Sequence, residues 1–340
     1  MNGNGRNTQQ TESASQLLLA EDLRKSYGPR PALRGLSFSL QVGHILGFLG
    51  PNGAGKTTAI RILTTMLEPD SGHFSVDGIS SKYPQEIRRR IGVLPEGLGF
   101  PKQITGIEYL TYFGQLYGRT KADAKTNSLR LLEEVGLQHR AKSLIGSYSH
   151  GMRQRIGIAR ALVNNPAVVF LDEPTLGLDP RGQQELLTLI QRIASERSVG
   201  VILCSHALSE IEGYCDDVVI LSSGQVVAQG SVAEVVGRVQ GNPSMQNVLR
   251  IQVSPDAAEK ALGILNEMPN VREATLVNEA EGWLRVELAD IPVTPSARKQ
   301  SLNNQVLQAL IRGMVPILGF ETTGSRLQDV FLELTAEIIQ

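Results

Sequence analysis

The chain has 340 residues, of which 41% are hydrophobic and 20% charged, and its formal net charge is −1. That length suits two domains with cores of their own, and the near-neutral balance excludes a nucleic-acid binder of the bulk-basic kind. No run approaches the roughly 18 to 20 apolar residues that cross a bilayer, so the chain is expected to be soluble and to reach a membrane only through a partner.

Residues 1–16 are rich in Asn, Gln, Ser, Thr and Gly and hold no apolar stretch. They read as a disordered tail, not a secretory signal. Strands are expected at Leu17–Asp22, Leu33–Leu40 and His44–Leu49, followed by a helix from Lys56 to about Leu67 and a strand near His73–Val76. From Glu108 to Val163 apolar positions recur at helical spacing, most clearly over Leu129–Val135. Strands return at Val168–Leu171 and Val199–Cys204, with a helix over Arg181–Glu196 between them. Val218–Leu221, Gly224 and Val226–Gln229 read as a hairpin. The alternation predicts an α/β fold with a largely parallel sheet flanked by helices.

Gly237–Ser244, with its Gly, Asn, Pro and Ser, marks a boundary. The expected division is a tail at 1–16, a first domain at 17–240 and a small α+β domain at 241–340. In the last, strands are expected at Val248–Val253, Val271–Leu276, Trp283–Leu288 and Pro316–Thr322. Helices are expected at Asp256–Met268, Leu302–Arg312 and Arg326–Ile338. Strand, helix, strand, strand, helix, strand is the order of a ferredoxin-like split unit. The two cysteines, Cys204 and Cys215, read as buried thiols in a reducing compartment. No His/Cys cluster has the spacing of a zinc site.

Gly50-Pro51-Asn52-Gly53-Ala54-Gly55-Lys56-Thr57 matches G-x-x-x-x-G-K-[ST], after an apolar strand and before a helix. Glycines let such a loop turn tightly and aim its N–H groups at one centre. A helix N-terminus adds positive potential there. Lys56 reaches outer phosphates and the Thr57 hydroxyl suits Mg²⁺. No Asn-Lys-x-Asp motif accompanies it, which disfavours GTP. Downstream, Ala167–Leu171 is an apolar strand that ends in Asp172 and Glu173. Two acids after a buried strand are common. Beside a phosphate loop, Asp172 reads as a metal-side acid and Glu173 as a general base for an attacking water.

Between these sites stands Ser147-Tyr148-Ser149-His150-Gly151-Met152-Arg153-Gln154-Arg155, which resembles the signature motif of ABC ATPases. The other motifs follow in that family's order. Tyr27 resembles the residue that stacks on adenine. Pro174-Thr175-Leu176-Gly177-Leu178-Asp179 resembles the D-loop, and Ser205-His206 the switch histidine. Ile91–Glu96 resembles the Q-loop. The resemblance covers roughly Leu17 to Gly237.

The resemblance implies a P-loop ABC ATPase domain, with a mixed sheet core and a helical subdomain, that binds ATP and Mg²⁺. It implies a head-to-tail dimer in which Ser149 and Gly151 of one chain touch the γ-phosphate held by Lys56 of the other. Glu173, His206 and Lys56 are the implied catalytic residues, with His206 sensing the γ-phosphate. The implied nucleotide set is Tyr27, Gly50, Pro51, Asn52, Gly53, Ala54, Gly55, Lys56, Thr57, Thr58, Glu96, Ser149, Gly151, Asp172 and Asp179. Thr57, Glu96 and Asp172 are the metal-side residues.

Two places depart from the family pattern. The signature is usually Leu-Ser-Gly-Gly-Gln, whereas this chain carries Tyr148, His150 and Met152 at three of the five positions. That puts the strength of the trans contact in question. Glu96 stands where glutamine is usual, a substitution that resembles subunits paired with six-helix exporter permeases. Leu327–Leu334 resembles the closing segment of multidrug, antibiotic and sodium export ATPases. The resemblance thus implies an exporter motor, peripheral on the cytoplasmic face of the membrane through a separate permease. The aromatic-rich stripe Tyr109, Tyr112, Phe113, Leu116 and Tyr117 reads first as helix core and second as part of a groove for that permease.

Two other readings stand beside it. A soluble ABC ATPase acting on DNA would carry a long coiled-coil insertion, but only about ninety residues separate Lys56 from Ser149. One acting on ribosomes would carry two ATPase halves. A nucleotide-dependent regulatory module could lack a base such as Glu173.

Overall fold

The computed structural model describes residues 16–97, 99–205, 212–240, 248–278, 281–289, 297–322 and 327. The chain divides into two compact units, 1–232 with 334–340, and 233–333.

The first unit opens with two 12-residue antiparallel strands, β1 (Gln16–Tyr27) and β2 (Arg30–Gln41). They join β4 (Ser71–Val76) and β5 (Ile79–Ser80) in a four-stranded sheet of order β2-β1-β4-β5. A second sheet carries the site. Its order is β10-β9-β3-β8-β7-β6, built from β3 (Ile45–Leu49), β6 (Ile91–Leu94), β7 (Val168–Asp172), β8 (Gly200–Cys204), β9 (Asp217–Ser222) and β10 (Gln225–Ser231). All its neighbours pair in parallel except β10 on β9. β3 and β8 are buried at every position, as a parallel strand covered on both faces must be. The fold is therefore α/β with mixed sheets. The parallel part is expected from the apolar runs, and the antiparallel sheet adds to that expectation.

Both sheets and α1 (Lys56–Leu63) contribute to one core cluster, where Leu18, Leu23 and Leu36 meet Phe48, Ile62 and Phe170. Phe38 and Phe48 pack with ring centroids 5.5 Å apart. The helix over Val232–Gln240, the two-residue β5, α2 (Pro84–Arg90) and the four-residue β6 escape the sequence pattern. A strand that short shows no usable alternation.

The stretch over 108–163 is helical as expected, divided into α3 (Gly106–Leu116), α4 (Lys121–Glu134) and α5 (His150–Ala161). Each begins on a hydroxyl cap. Thr105 forms a capping box with Glu108, Thr120 accepts from the Asp123 N–H, and Ser149 from the Met152 N–H. Ser128 donates to the Ala124 carbonyl, so the buried Thr111 hydroxyl must be the donor in its 3.2 Å bond to Ser128. α6 (Pro180–Arg197) runs between β7 and β8, and α7 (Val232–Gln240) follows β10.

The second unit contains β11 (Val248–Val253), α8 (Ala258–Asn266), β12 (Val271–Asn278), β13 (Trp283–Leu288), α9 (Ala297–Arg312) and β14 (Ile317–Thr322). Its sheet is antiparallel throughout, in the order β12-β13-β11-β14. That topology is the ferredoxin-like split unit. Leu249, Ile251, Leu265, Leu284, Val286 and Leu310 form its own core. The expected helix at Arg326–Ile338 lies outside the described residues, apart from Leu327.

Candidate active site

The phosphate loop runs from the end of β3 into α1. Gly53 and Gly55 hold left-handed backbone, at φ 81° and 107°. Gly55 is also pressed against β2, since a Cβ there would lie 2.5 Å from the Ala32 carbonyl oxygen. No side chain caps α1, so its first N–H groups are left for a ligand. Lys56 Nζ donates to the carbonyls of Gly50 and Pro51, the latter at 3.2 Å. Thr57 is exposed and Thr58 half-buried in the first turn. Tyr27 pairs with Arg30 at the far end of β1–β2, two residues from the Ala32 that touches Gly55, and it is 49% exposed. Tyr27 and Gly55 thus both border the start of β2.

A further brace was not legible as a motif. Gly224, in the β9–β10 turn, donates its N–H to the Ala54 carbonyl at 3.0 Å and accepts from Arg34 N–H at 2.8 Å. A Cβ at Gly224 would meet the Ala32 carbonyl at 2.7 Å. Only the turn glycine itself signals this in the sequence.

Asp172 ends β7 half-buried. Burial raises its carboxyl above the ordinary carboxylate range, and the charges of Glu96 and Glu173 raise it further. Lys56 and a hydrogen bond from the Glu96 backbone N–H partly offset this. The fold therefore brings together four residues that the sequence spreads over more than a hundred positions: Lys56, Glu96, Asp172 and Glu173. Glu173 holds φ 49° and donates its N–H to the Cys204 carbonyl at 3.0 Å. Left-handed backbone at a non-glycine costs about 1–3 kcal/mol and concentrates at functional sites. Cys204 is fully buried in β8, and desolvation pushes its thiol well above the usual range. Burial does the same to Cys215. Both are free.

An acid pair whose charges repel, beside a lysine and an exposed threonine hydroxyl, fits a divalent cation shared with phosphate oxygens. Among the described residues no group of three or more His, Cys, Asp or Glu forms an all-protein cage, and a magnesium site of this kind needs none.

The signature segment builds a second locus. Ser149 and His150 are exposed at the start of α5. A cavity of about 380 Å³ opens there, between Ser149, Gly151 and Arg155 on one side and Gly177, Leu178 and Asp179 on the other. No residue of the phosphate loop lines it. Asp179 caps α6 by accepting from Gly182 N–H at 3.3 Å. Tyr148 is buried, and its hydroxyl donates to the Arg140 carbonyl at 2.8 Å. Its carbonyl in turn accepts from Arg153 at 2.6 Å. The departure at Tyr148 is thus an anchor into the helical layer and does not alter the exposed face. α5 packs on β6 without spacing: a Cβ on Gly157 would lie 2.5 Å from Leu94 Cδ1, and Arg160 donates to the Val93 carbonyl at 2.7 Å. Arg160 also lies 5.4 Å over the Phe113 ring. His206 lies outside the described residues. Tyr109 is buried, while Tyr112, Leu116 and Tyr117 are exposed, so the aromatic stripe is part core and part surface.

A family model described as "ABC transporter" matches residues 33–176. The linearmycin resistance ATP-binding protein LnrL of Bacillus subtilis (strain 168) is 31% identical over 325 residues, covering 95% of this chain and 100% of that protein. The chain belongs to the ABC transporter ATP-binding proteins. The bacitracin transport ATP-binding protein BcrA of Bacillus licheniformis is 43% identical over 216 residues, covering 63% of this ABC protein and 70% of the relative. A solved structure described as the ATP binding subunit of an ABC transporter superposes with a TM-score of 0.58 at 31% identity, over 65% of this chain and 92% of that one. This ABC subunit is an ATPase that energises transport. Among its described residues no helix is long and apolar enough to cross a membrane.

Proposed function

We propose that two copies of the chain close head to tail around two ATP molecules and so drive a separate membrane permease in export. The observation that carries this is the separation of the two loci: Ser149 opens onto a cavity shared with the D-loop segment, and no phosphate-loop residue lines it. In this reading a triphosphate seated on Lys56 meets Ser149 and Gly151 of a facing copy. Binding closes the pair because the γ-phosphate is gripped from both sides, and loss of that phosphate releases it.

In the closed pair Glu173 takes a proton from a water whose oxygen attacks the γ-phosphorus. The bond to the β-phosphate oxygen breaks, and ADP and phosphate leave. His206 orients that water. Tyr27 stacks on the base and Asp179 borders the facing copy. Thr57, Glu96 and Asp172 would hold Mg²⁺, which offsets charge on the phosphate oxygens when bound. Glu96 and the exposed residues of α3 face the permease, on the cytoplasmic side of the membrane. The export direction is supported by relatives named for linearmycin resistance and bacitracin transport.

Glu173→Gln with saturating ATP and Mg²⁺ should run as a dimer by light scattering and hydrolyse almost nothing. A variant that stays monomeric, or one that turns over at the wild-type rate, sinks the reading.

A further inference from the structure

His150 occupies a signature position where the family pattern has glycine, and it makes a contact that no glycine could. Its Nε2 lies 2.8 Å from the Leu176 carbonyl oxygen. A carbonyl only accepts, so Nε2 carries the proton. Leu176 stands in the middle of the segment from Glu173 to Asp179. Its N–H donates to the Glu173 carbonyl at 3.2 Å, and the Leu178 N–H donates to Thr175 at 3.1 Å. The segment is thus two linked turns, held at one end by Glu173 on β8 and at the other by the Asp179 cap of α6. His150 adds a tie from α5 at the middle. The ring lies over Gly177, where a Cβ would come within 3.4 Å of Nε2.

We infer that His150 is a positioning residue that makes Ser149 and Glu173 of one chain move together. The inference rests on the head-to-tail reading, in which those two residues serve different nucleotides. Ser149 grips the phosphate held by a facing copy, and Glu173 serves the water beside its own Lys56. A shift of α5 on gaining or losing phosphate passes through the Nε2–H bond to Leu176, and from the Leu176 N–H to Glu173. The two composite sites are therefore coupled inside each chain by one side chain.

The test compares full-length wild type with His150→Leu, His150→Asn and His150→Gln. Leucine removes the donor, asparagine keeps polarity but is too short, and glutamine can place an N–H near the Nε2 position. ATP turnover is measured across ATP concentration, with equilibrium binding of a fluorescent ATP analogue and a thermal melt. For the leucine and asparagine variants, turnover should fall by about 3- to 10-fold, the rate equivalent of one hydrogen bond. Analogue affinity should stay within about twofold, and the Hill coefficient should fall toward one. Glutamine should restore both. A wild-type Hill coefficient of one overturns the inference. So does wild-type behaviour in His150→Asn, or a glutamine variant as impaired as leucine. Glu173→Gln run in parallel separates the failures: if it is inactive and dimeric while His150→Asn behaves as wild type, only the coupling role falls.

Discussion

The loop at Gly50–Thr57 and the turn at Tyr148–Met152 both lead into helix N-termini, yet they are secured by different atoms. Backbone packing secures the first, Gly55 against the Ala32 carbonyl and Gly224 against Ala54, and its one side-chain tie is Lys56 Nζ folded onto the loop's own carbonyls. Side chains secure the second: the Tyr148 hydroxyl on Arg140, Arg153 on the Tyr148 carbonyl, and His150 on Leu176. A Cβ at Gly50 or Gly55 would run into backbone carbonyls, so those residue types are strictly set. A turn pinned by side chains can change its residues as long as new anchors are found. That difference accounts for a phosphate loop that matches its motif fully and a signature that departs from it at three of five places.

The largest expected effects break the backbone-built loop. Lys56→Ala should lower ATP turnover by at least about a hundredfold, the scale on which one aimed donor acts on developing charge. A coupled-enzyme phosphate assay reads it. Gly55→Ala must hold φ 107° with a side chain and push on Ala32. It should weaken ATP binding by about tenfold or more in titration calorimetry. If Gly55→Ala binds ATP as wild type does, the contrast between the two loops is lost.

The join between the loci comes next. A Cβ on Gly92 would run into the Ala161 carbonyl where α5 crosses β6. Gly92→Ala should cost about 1–3 kcal/mol by overpacking. The melting temperature should fall by roughly 2–4 °C for each kcal/mol. An unchanged melt would mean that α5 is not seated on that strand.

The phosphate loop was legible because its residues are contiguous and their geometry is local. Glu96, Asp172 and Glu173 were legible through motif order, and the fold brings them to Lys56. The anchors of the signature were not. Tyr148 and His150 read as losses against the family wording, because their partners Arg140 and Leu176 are visible only once the chain is folded. Arg160 and Val93 are 67 positions apart, and nothing periodic links them. β6 was hidden by its four-residue length. The four-stranded antiparallel sheet was half legible: β1 and β2 run past their apolar stretches into polar ends that pairing alone holds extended.

A smaller effect should come from the side-chain-built side. Tyr148→Phe removes the donor to the Arg140 carbonyl and keeps the ring in place. It should cost about 0.5–1.5 kcal/mol in denaturant unfolding. Tyr148→Leu, the family's usual residue, should cost more, because it loses both the hydroxyl and the ring that packs beside Gly106. Equal losses in the two variants would assign the anchoring to the hydrogen bond and not to the bulk of the ring.

The smallest effect lies at the entrance to the same helical layer. Thr105 N–H and hydroxyl both donate to Glu108, at 2.8 and 2.7 Å, and hold its carboxyl below the ordinary range. A carboxylate with a lowered folded-state value contributes stability that is present above its unfolded value and is lost as the pH falls through the folded one. Thr105→Ala removes the hydroxyl half of that box, including the cap on the Glu108 N–H. The stability gap between wild type and Thr105→Ala should therefore be widest near neutrality and should narrow as the pH falls below the ordinary glutamate value of about 4.3 and through the lowered folded one. A gap that is constant from neutral to acid pH would show that the cap acts through the hydroxyl alone, with no share from the Glu108 charge. The side-chain anchoring of this layer would then rest on Tyr148, Arg153 and His150.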